Sequence, residues 1–341
     1  MTESGILIVD KPEGISSAKL VARVKKLLGA AKAGHAGTLD PFATGVMICC
    51  INQATRLSRF FLHGNKTYKA VICLGIETDT QDLTGNIISQ TDIRDMKIEA
   101  ETVRSVCRQF EGSIEQMPPV YSALKHEGVP LYRLARKGKP VQKPARQCFI
   151  SSLEITDINL PEIRITVSCS AGTYIRSLAA DIGKALGCGG HLKALRRVES
   201  GGFTIQQAVK LEDLESGAGM TKMTEMADAL NGMPCHAADA VLMKKIKYGI
   251  AISKKELPPS FRSAEMSEAN FSLSRSAEMS EANFSCRTGL SVLSRAVLLL
   301  KTPEPERFIK IVDENHRLLA VLCDKTDGDT YNYCCVFQEN T

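Results

Sequence analysis

The chain has 341 residues, of which 44% are hydrophobic and 24% charged, a composition that excludes wholesale disorder. At roughly 150 residues per domain, this length predicts about two domains. Lysine and arginine number 43 against 38 aspartate and glutamate residues, so the net charge is +5, which permits a polyanionic partner without requiring one. No apolar run approaches the roughly 18 residues that a membrane span requires.

The chain contains 12 cysteines, but no two of them form the Cys-x-x-Cys pair typical of zinc sites. Cys188 and His191 come nearest to a pair of metal ligands, but the glycines between them are more typical of the end of a helix. The N-terminus lacks a basic region followed by an apolar one, as a secretory signal would have. We therefore expect a cytoplasmic protein with reduced cysteines, no metal and no membrane contact.

Hydrophobic periodicity and turn residues predict the N-terminal elements. Ser16 or Ser17 is expected to cap the first helix, and Gly29 to end it. In chain order, the predicted elements are a strand at 6–9, a helix at 17–28, a glycine-containing loop at 34–45, strands at 46–51 and 66–74, a helix at 100–110, an insertion at 118–146, a strand at 163–169 and a helix from 172 to 187.

The insertion at 118–146 differs in composition from the rest of the chain. Seven basic residues stand against one acidic residue between positions 125 and 146, and five prolines lie within 118–146. Prolines at this density interrupt regular structure, and uncompensated basic charge belongs on a surface. We therefore expect an exposed, irregular insertion.

A second domain is expected from residue 235 to 341. Three β-like runs, at 308–312, 318–322 and 334–337, predict a small and mostly β domain. The eleven residues at 262–272 recur identically at 275–285, which indicates a tandem duplication in a tolerant loop, because solenoid repeats are longer and come in more copies. We expect 258–286 to be an exposed, poorly ordered insertion without an essential function.

The densest group of candidate functional residues is the segment GHAGTLDPFATG at 34–45. Its glycines let the backbone approach a ligand closely, and Pro41 favours an extended backbone at the preceding Asp40. These residue types alone fit a structural turn as well as a ligand-binding loop. The chain has no P-loop, nucleophile elbow or dinucleotide fingerprint, so the usual motifs for nucleotide hydrolysis and redox chemistry are missing.

This segment, preceded by GILIVDKPEGISS at 5–17, resembles the TruB family of pseudouridine synthases. Three further segments resemble the same family in order and spacing: KTYKA at 66–70, CSAGTYIRSL at 169–178 and GHLKALRR at 190–197. The resemblance implies an α+β catalytic domain with a mixed or antiparallel sheet flanked by helices at 1–234. It also implies a small PUA-like RNA-binding domain at 235–341.

The family resemblance also implies the roles of individual residues. Asp40 matches the essential aspartate, Arg176 the arginine placed beside it, and Tyr68 the tyrosine that stacks on the target base. The other matched substrate-contacting residues are His35, which fills the space left by the flipped base, and Tyr174 and Leu195, which line the uridine pocket. The insertion resembles the family's mobile RNA-closing element, and the residues expected on the RNA backbone are Arg136, Lys137 and Lys139.

The implied reaction converts uridine 55 in the T-loop of tRNA to pseudouridine and needs no cofactor. It breaks the C1′–N1 bond, turns the base and rejoins it through C5. The carboxylate attacks the sugar or the base, or removes a ribose proton to give a glycal, and the sequence leaves these routes open. We expect the T-arm of tRNA as the partner, no required protein partner and a monomer.

Two alternative functions remain open. One is the catalytic subunit of a guide-RNA-dependent particle, which shares the aspartate motif, although the basic insertion favours a stand-alone enzyme. The other is a non-catalytic RNA-binding or tRNA-folding protein, against which the joint presence of Asp40, Tyr68 and Arg176 argues.

Overall fold

The computed structural model describes residues 3–217, 222–258, 307–324 and 328–337. The chain divides into two compact units, Met1–Thr224 and Glu225–Thr341. The division thus follows residue 224, whereas the sequence analysis placed it after residue 234. The duplicated segment at 262–285 lies outside the described residues.

The N-terminal unit contains fourteen strands and six α-helices among its described residues. They are β1 (Gly5–Lys11), α1 (Ser17–Leu27), β2 (Ala33–Ala36), β3 (Thr44–Ile51), α2 (Ser58–Leu62), β4 (Lys66–Leu74), β5 (Ile76–Thr78), β6 (Ile87–Gln90), α3 (Ala100–Arg108), β7 (Gly112–Gln116), β8 (Lys125–His126), β9 (Val129–Pro130), α4 (Leu131–Arg136), β10 (Arg146–Asn159), β11 (Glu162–Cys169), α5 (Ile175–Ala185), β12 (Gly190–Ser200), β13 (Phe203–Thr204), β14 (Val209–Lys210) and α6 (Leu211–Glu215). Short 3₁₀ helices lie at Asn52–Leu57, Ile93–Met96 and Ile205–Gln207.

A ten-stranded mixed sheet organises this unit. Its order is β14-β1-β3-β12-β4-β11-β10-β7, with β2 added beside β3 and β13 beside β12. The pairs β1/β14 and β12/β3 are parallel and the others are antiparallel. Apolar residues of α1, α3, α5 and α6 join the sheet in one core. The α+β class with a mixed sheet is confirmed.

Several predicted elements have the expected bounds for local reasons. Strand β4 covers 66–74 as predicted, because alternate side chains of that run are buried. Helix α1 begins after Ser16, whose side chain accepts a hydrogen bond from the Lys19 amide, and the chain leaves the helix through Gly29 at φ 58°.

Two parts of the chain differ from the sequence prediction. Residues 34–36 were expected in a loop, but they belong to β2, which pairs antiparallel with β3. The insertion was expected to be irregular, but it forms the β8/β9 hairpin and helix α4. Leu131 of α4 is fully buried, and the burial of this apolar side chain stabilises the helix despite the surrounding prolines and basic residues.

The C-terminal unit is a small β domain, as predicted. Its described elements are α7 (Met226–Ala229), β15 (Cys235–Ala237), α8 (Ala240–Tyr248), β16 (Ile252–Ser253), β17 (Arg307–Val312), β18 (Leu318–Asp324) and β19 (Thr330–Val336). The strands form one sheet in the order β15-β17-β18-β19-β16. Leu242 and Ile246 of α8 pack into the core that this sheet provides.

Candidate active site

The loop between β2 and β3 carries Asp40, and the end of β1 and the start of α1 hold it in place. The hydroxyl of Ser17 donates to the Leu39 carbonyl and accepts from the Leu39 amide, both at 2.9 Å. Lys11, which is fully buried, donates its ammonium group to the carbonyls of Pro41 and Ala43. The backbone is therefore fixed on both sides of the carboxylate.

Asp40 forms a two-point ion pair with Arg176 of α5. Arg176 Nε lies 2.9 Å from Oδ2 of Asp40, and Nη2 lies 3.3 Å from Oδ1. The same guanidinium donates to the carbonyls of Thr80, at 3.0 Å, and Tyr121, at 2.9 Å. Because these donors lie in one rigid plane, they fix the orientation of the carboxylate in a way that a lysine ammonium would not.

Asp40 combines partial exposure with a low-dielectric surrounding. Its side chain is 33% exposed, whereas that of Arg176 is 5% exposed. Burial raises the pKa of Asp40 above its ordinary value, and the charges of Arg176 and Lys11 oppose that rise. Burial also lowers the pKa of Lys11 to about 8. An oriented, poorly solvated carboxylate of this kind suits nucleophilic attack or proton removal.

Asp82 is a second carboxylate at this site, and the sequence patterns do not predict it. It is 4% exposed, and its Oδ2 lies 3.6 Å from Nη1 of Arg176. Its Oδ1 accepts hydrogen bonds from the hydroxyls of Thr80 and Thr84 and from the Thr84 amide. Arg176 therefore lies between two carboxylates. The sequence feature that could have indicated Asp82 is the run of acidic and hydroxyl residues at 78–85, which ends in glycine.

Tyr68 projects from β4 next to the central strand β12. It is 7% exposed, and burial raises the pKa of its hydroxyl, while a hydrogen bond and the charge of Arg197 on β12 oppose that rise. The charge of Asp40 also acts on this hydroxyl. Leu195, which pairs with Ala70 across the same two strands, is 8% exposed. The predicted base-stacking tyrosine is thus largely covered by protein.

Tyr174 lies at the N-terminal end of α5, two residues before Arg176. The side chain of Gln116 donates to the Tyr174 carbonyl at 3.0 Å and accepts from its amide at 2.7 Å. Burial raises the pKa of the Tyr174 hydroxyl, and the charges of Arg176 and Asp40 act on it as well. Tyr174 therefore belongs to the same electrostatic group as Asp40, Arg176 and Tyr68.

Among the described residues, neither His35 nor the basic residues of the insertion form a hydrogen bond or ion pair with Asp40 or Arg176. His35 is on β2, where its buried Nδ1 has no hydrogen-bond partner among the described residues, and burial, followed by the charge of Arg197, lowers its pKa. The exposed side chains of Arg136, Lys137 and Lys139 lie at and beyond the C-terminal end of α4.

Two kinds of feature are absent from the described residues. No group of three or more histidine, cysteine, aspartate or glutamate residues there is arranged to hold a metal ion. No helix there is long and apolar enough to cross a membrane.

Solved structures define the class of fold. A Cbf5–Nop10–Gar1 complex matches with a TM-score of 0.64 at 23% identity, over 98% of this chain and 85% of that one. An archaeal box H/ACA sRNP Nop10–Cbf5 complex matches with a TM-score of 0.62 at 22% identity, over 98% and 86% of the two chains. At these identities the likeness concerns the fold alone, which is that of pseudouridine synthases.

Sequence comparisons identify the family. Residues 25–175 match the model of the TruB family pseudouridylate synthase N-terminal domain, and residues 176–242 match the tRNA pseudouridylate synthase B C-terminal domain. A tRNA pseudouridine synthase B from Syntrophotalea carbinolica is 45% identical over 250 residues, 72% of this chain and 81% of that protein. One from Bordetella avium is 47% identical over 230 residues, 67% and 93% of the two chains. The chain belongs to the TruB family of pseudouridylate synthases.

Proposed function

We propose that this protein is a stand-alone enzyme that isomerises uridine 55 in the T-loop of tRNA to pseudouridine. The observation that carries the proposal is the two-point pair between Asp40 and Arg176, in a chain 45% identical to a tRNA pseudouridine synthase B. The pair supplies an oriented carboxylate at Asp40, the position that matches the essential aspartate of the family motif.

Asp40 starts the reaction in this proposal. It attacks the sugar or the base, or removes a ribose proton to give a glycal. By any of these routes the C1′–N1 bond breaks, the base turns, and C1′ bonds to C5. The C5 hydrogen then leaves as a proton and N1 gains one, so the product is an isomer of the substrate and no electron acceptor is needed. Arg176 keeps the carboxylate oriented through both of its oxygens.

The other site residues bind the flipped uridine in this proposal. Tyr68 stacks on the base and helps remove the C5 proton, Tyr174 and Leu195 line the pocket, and His35 fills the space that the base leaves. A base must leave its stack before its glycosidic bond is accessible, so the pocket selects an extruded nucleotide.

Exposed basic residues of the insertion supply RNA affinity. We assign Arg136, Lys137 and Lys139 to the RNA backbone, because exposed cations at one helix end suit phosphate contacts. The C-terminal unit is assigned as a PUA-like RNA-binding domain from its small β fold. The protein is expected to act as a cytoplasmic monomer.

A guide-RNA-dependent subunit is the second candidate, since the Cbf5 complexes share the fold. The test incubates the purified protein alone with an unmodified tRNA transcript, and with a transcript carrying cytidine at position 55. Pseudouridine is then mapped by carbodiimide modification and primer extension. We expect one stop, at position 55 of the first transcript only. A stop elsewhere, or activity only with a guide RNA or a protein partner, would contradict the proposal.

A further inference from the structure

Arg197, on the central strand β12, is a buried cation that the reaction described above does not use. The residue is 1% exposed and is among the largest fully buried side chains. Within the parts of the chain that the structure describes, no carboxylate lies within 4.0 Å of its guanidinium, whereas the adjacent Arg196 forms a two-point pair with Asp10. Burying an uncompensated charge costs free energy, so the contacts that Arg197 makes must offset that cost.

The guanidinium of Arg197 reaches the loop that carries Asp40. Nε donates to the Val46 carbonyl at 2.8 Å, and Nη2 donates to the Gly37 carbonyl at 3.0 Å. A Cβ atom at Gly45 would lie 2.1 Å from the Arg197 carbonyl oxygen, and one at Gly37 would lie 3.2 Å from Nη1. The contact at Gly45 is with the Arg197 backbone and reflects the close approach of β3 and β12, whereas the contact at Gly37 is with the guanidinium itself.

Arg197 also reaches the catalytic tyrosine. Arg197 and Tyr68 are direct partners across β12 and β4, so their side chains leave the same face of the sheet. The charge of Arg197 acts on the Tyr68 hydroxyl and opposes the rise in its pKa that burial causes. The guanidinium therefore lies beside the tyrosine on one face of the sheet while it donates to the backbone of the loop that carries Asp40.

We propose that Arg197 is a positioning residue that fixes the Tyr68 hydroxyl and the Asp40 loop relative to each other. One rigid group donates to the loop backbone and lies beside the tyrosine, so the tyrosine and the carboxylate keep a constant separation while the base turns between bond cleavage and rejoining. This assignment rests on the proposed function.

The kinetic test compares Arg197→Lys with Arg196→Lys, which alters the preceding residue of the same strand. The readout is the single-turnover rate of tritium release from C5-labelled tRNA at saturating protein, together with the Kd for the RNA. For Arg197→Lys we expect a rate about 10- to 100-fold lower, the loss typical of a charged hydrogen bond, with little change in Kd. For Arg196→Lys the rate should stay within about threefold of the wild type.

A double variant shows whether Arg197 acts through the tyrosine. In a Tyr68→Phe background, Arg197→Lys should lower the rate by a smaller factor than in the wild type, because the hydroxyl that it positions is already gone. An undiminished factor in that background, or an Arg197→Lys rate within about threefold of the wild type, would overturn the assignment.

A measurement without any Arg197 variant covers the case in which Arg197→Lys fails to fold. Nitrogen-15 NMR compares the Arg197 side-chain signals of the wild type and Tyr68→Phe. We expect the Nη signals to shift and their hydrogen exchange to speed up when the hydroxyl is removed, and unchanged signals would overturn the assignment. A wild type that binds tRNA but releases no tritium would instead contradict the proposed function, and the NMR result would still decide the role of Arg197.

Discussion

At the scale of single residues, the reactivity of Asp40 is set by its buried and charged surroundings. Desolvation raises its pKa, Arg176 and Lys11 lower it, and Asp82 raises it again. Arg176 serves two carboxylates, since it lies 2.9 Å from an oxygen of Asp40 and 3.6 Å from one of Asp82. The closer and better aligned contact goes to Asp40, the carboxylate that we propose reacts with the substrate.

This balance makes the acid limit of activity sensitive to Asp82. Asp40 acts as the carboxylate, so the rate should fall as the pH drops through its pKa, which lies above the ordinary 3.8. Asp82→Asn removes a negative charge that raises this pKa. The acid limb of the pH profile, where the rate falls with decreasing pH, should therefore move to lower pH. The measurement is the single-turnover rate against pH for both proteins.

Asp79→Asn is the matched control for that experiment. The carboxylate of Asp79 bonds to the amide groups of Asn86, and its charge is not among those that shift the pKa of Asp40. Its acid limb should coincide with that of the wild type. An acid limb that moves to higher pH in Asp82→Asn would refute this electrostatic description of the site.

At the scale of elements, α1 stabilises the loop that carries Asp40 through the side chain at its first residue. Ser17 is 2% exposed and makes two hydrogen bonds to the backbone of Leu39, the residue before Asp40. The preceding Ser16 only caps the helix, in an exposed hydrogen bond of 3.3 Å to Lys19. Adjacent serines of one helix start thus have different roles.

Ser17→Ala leaves a buried amide and a buried carbonyl without partners. We expect the free energy of unfolding to fall by about 1 to 3 kcal/mol, and the single-turnover rate to fall as the loop loosens. Ser16→Ala should cost about 0.5 to 1 kcal/mol and leave the rate unchanged. Denaturant titration and tritium release check both variants, and equal rate losses for the two would show that α1 does not position the loop.

Helix α4 of the insertion has one fully buried apolar residue, Leu131, and exposed basic residues at its C-terminal end. Replacing Arg136, Lys137 and Lys139 together with alanine should weaken tRNA binding and reduce the slope of log Kd against log salt by about one for each phosphate that the protein no longer binds. The rate at saturating RNA should persist, because among the described residues these side chains form no hydrogen bond or ion pair with Asp40 or Arg176. Binding isotherms at several salt concentrations measure the effect.

A charge-matched control replaces three exposed basic residues outside the insertion, Lys97, Arg104 and Lys184, with alanine. Its salt slope should stay close to that of the wild type. If both triple variants lower the affinity for tRNA equally, the affinity depends only on the net charge of the protein, and the assignment of the insertion to the RNA backbone is wrong.

At the scale of the whole molecule, the sequence predicted those features that depend on local patterns. The alternation in β4, the Ser16 cap of α1 and the β runs of the C-terminal unit are all encoded over a few neighbouring residues, and the structure has them. The family motif indicated Asp40 and Arg176, which are 136 residues apart in sequence and paired in the structure.

Features that depend on distant contacts were not predictable in the same way. Strand β2 is stabilised by antiparallel pairing with β3, and helix α4 is stabilised by the burial of Leu131. Asp82 looks like a polar turn residue until the chain places it against Arg176. Next to Arg196 in the sequence, Arg197 has the pattern of an exposed basic residue. In the structure its strand lies between β3 and β4, and its side chain is buried.

The central claim is that Asp40 of this protein drives the isomerisation of uridine in tRNA. The most direct measurement is tritium release from an unmodified tRNA labelled at C5 of uridine, with the wild type and Asp40→Asn compared at equal RNA occupancy. Bonding of C5 to the sugar must expel that label, so we expect release by the wild type and none by Asp40→Asn. Release by Asp40→Asn at the wild-type rate, or tight tRNA binding by the wild type without release, would contradict the claim.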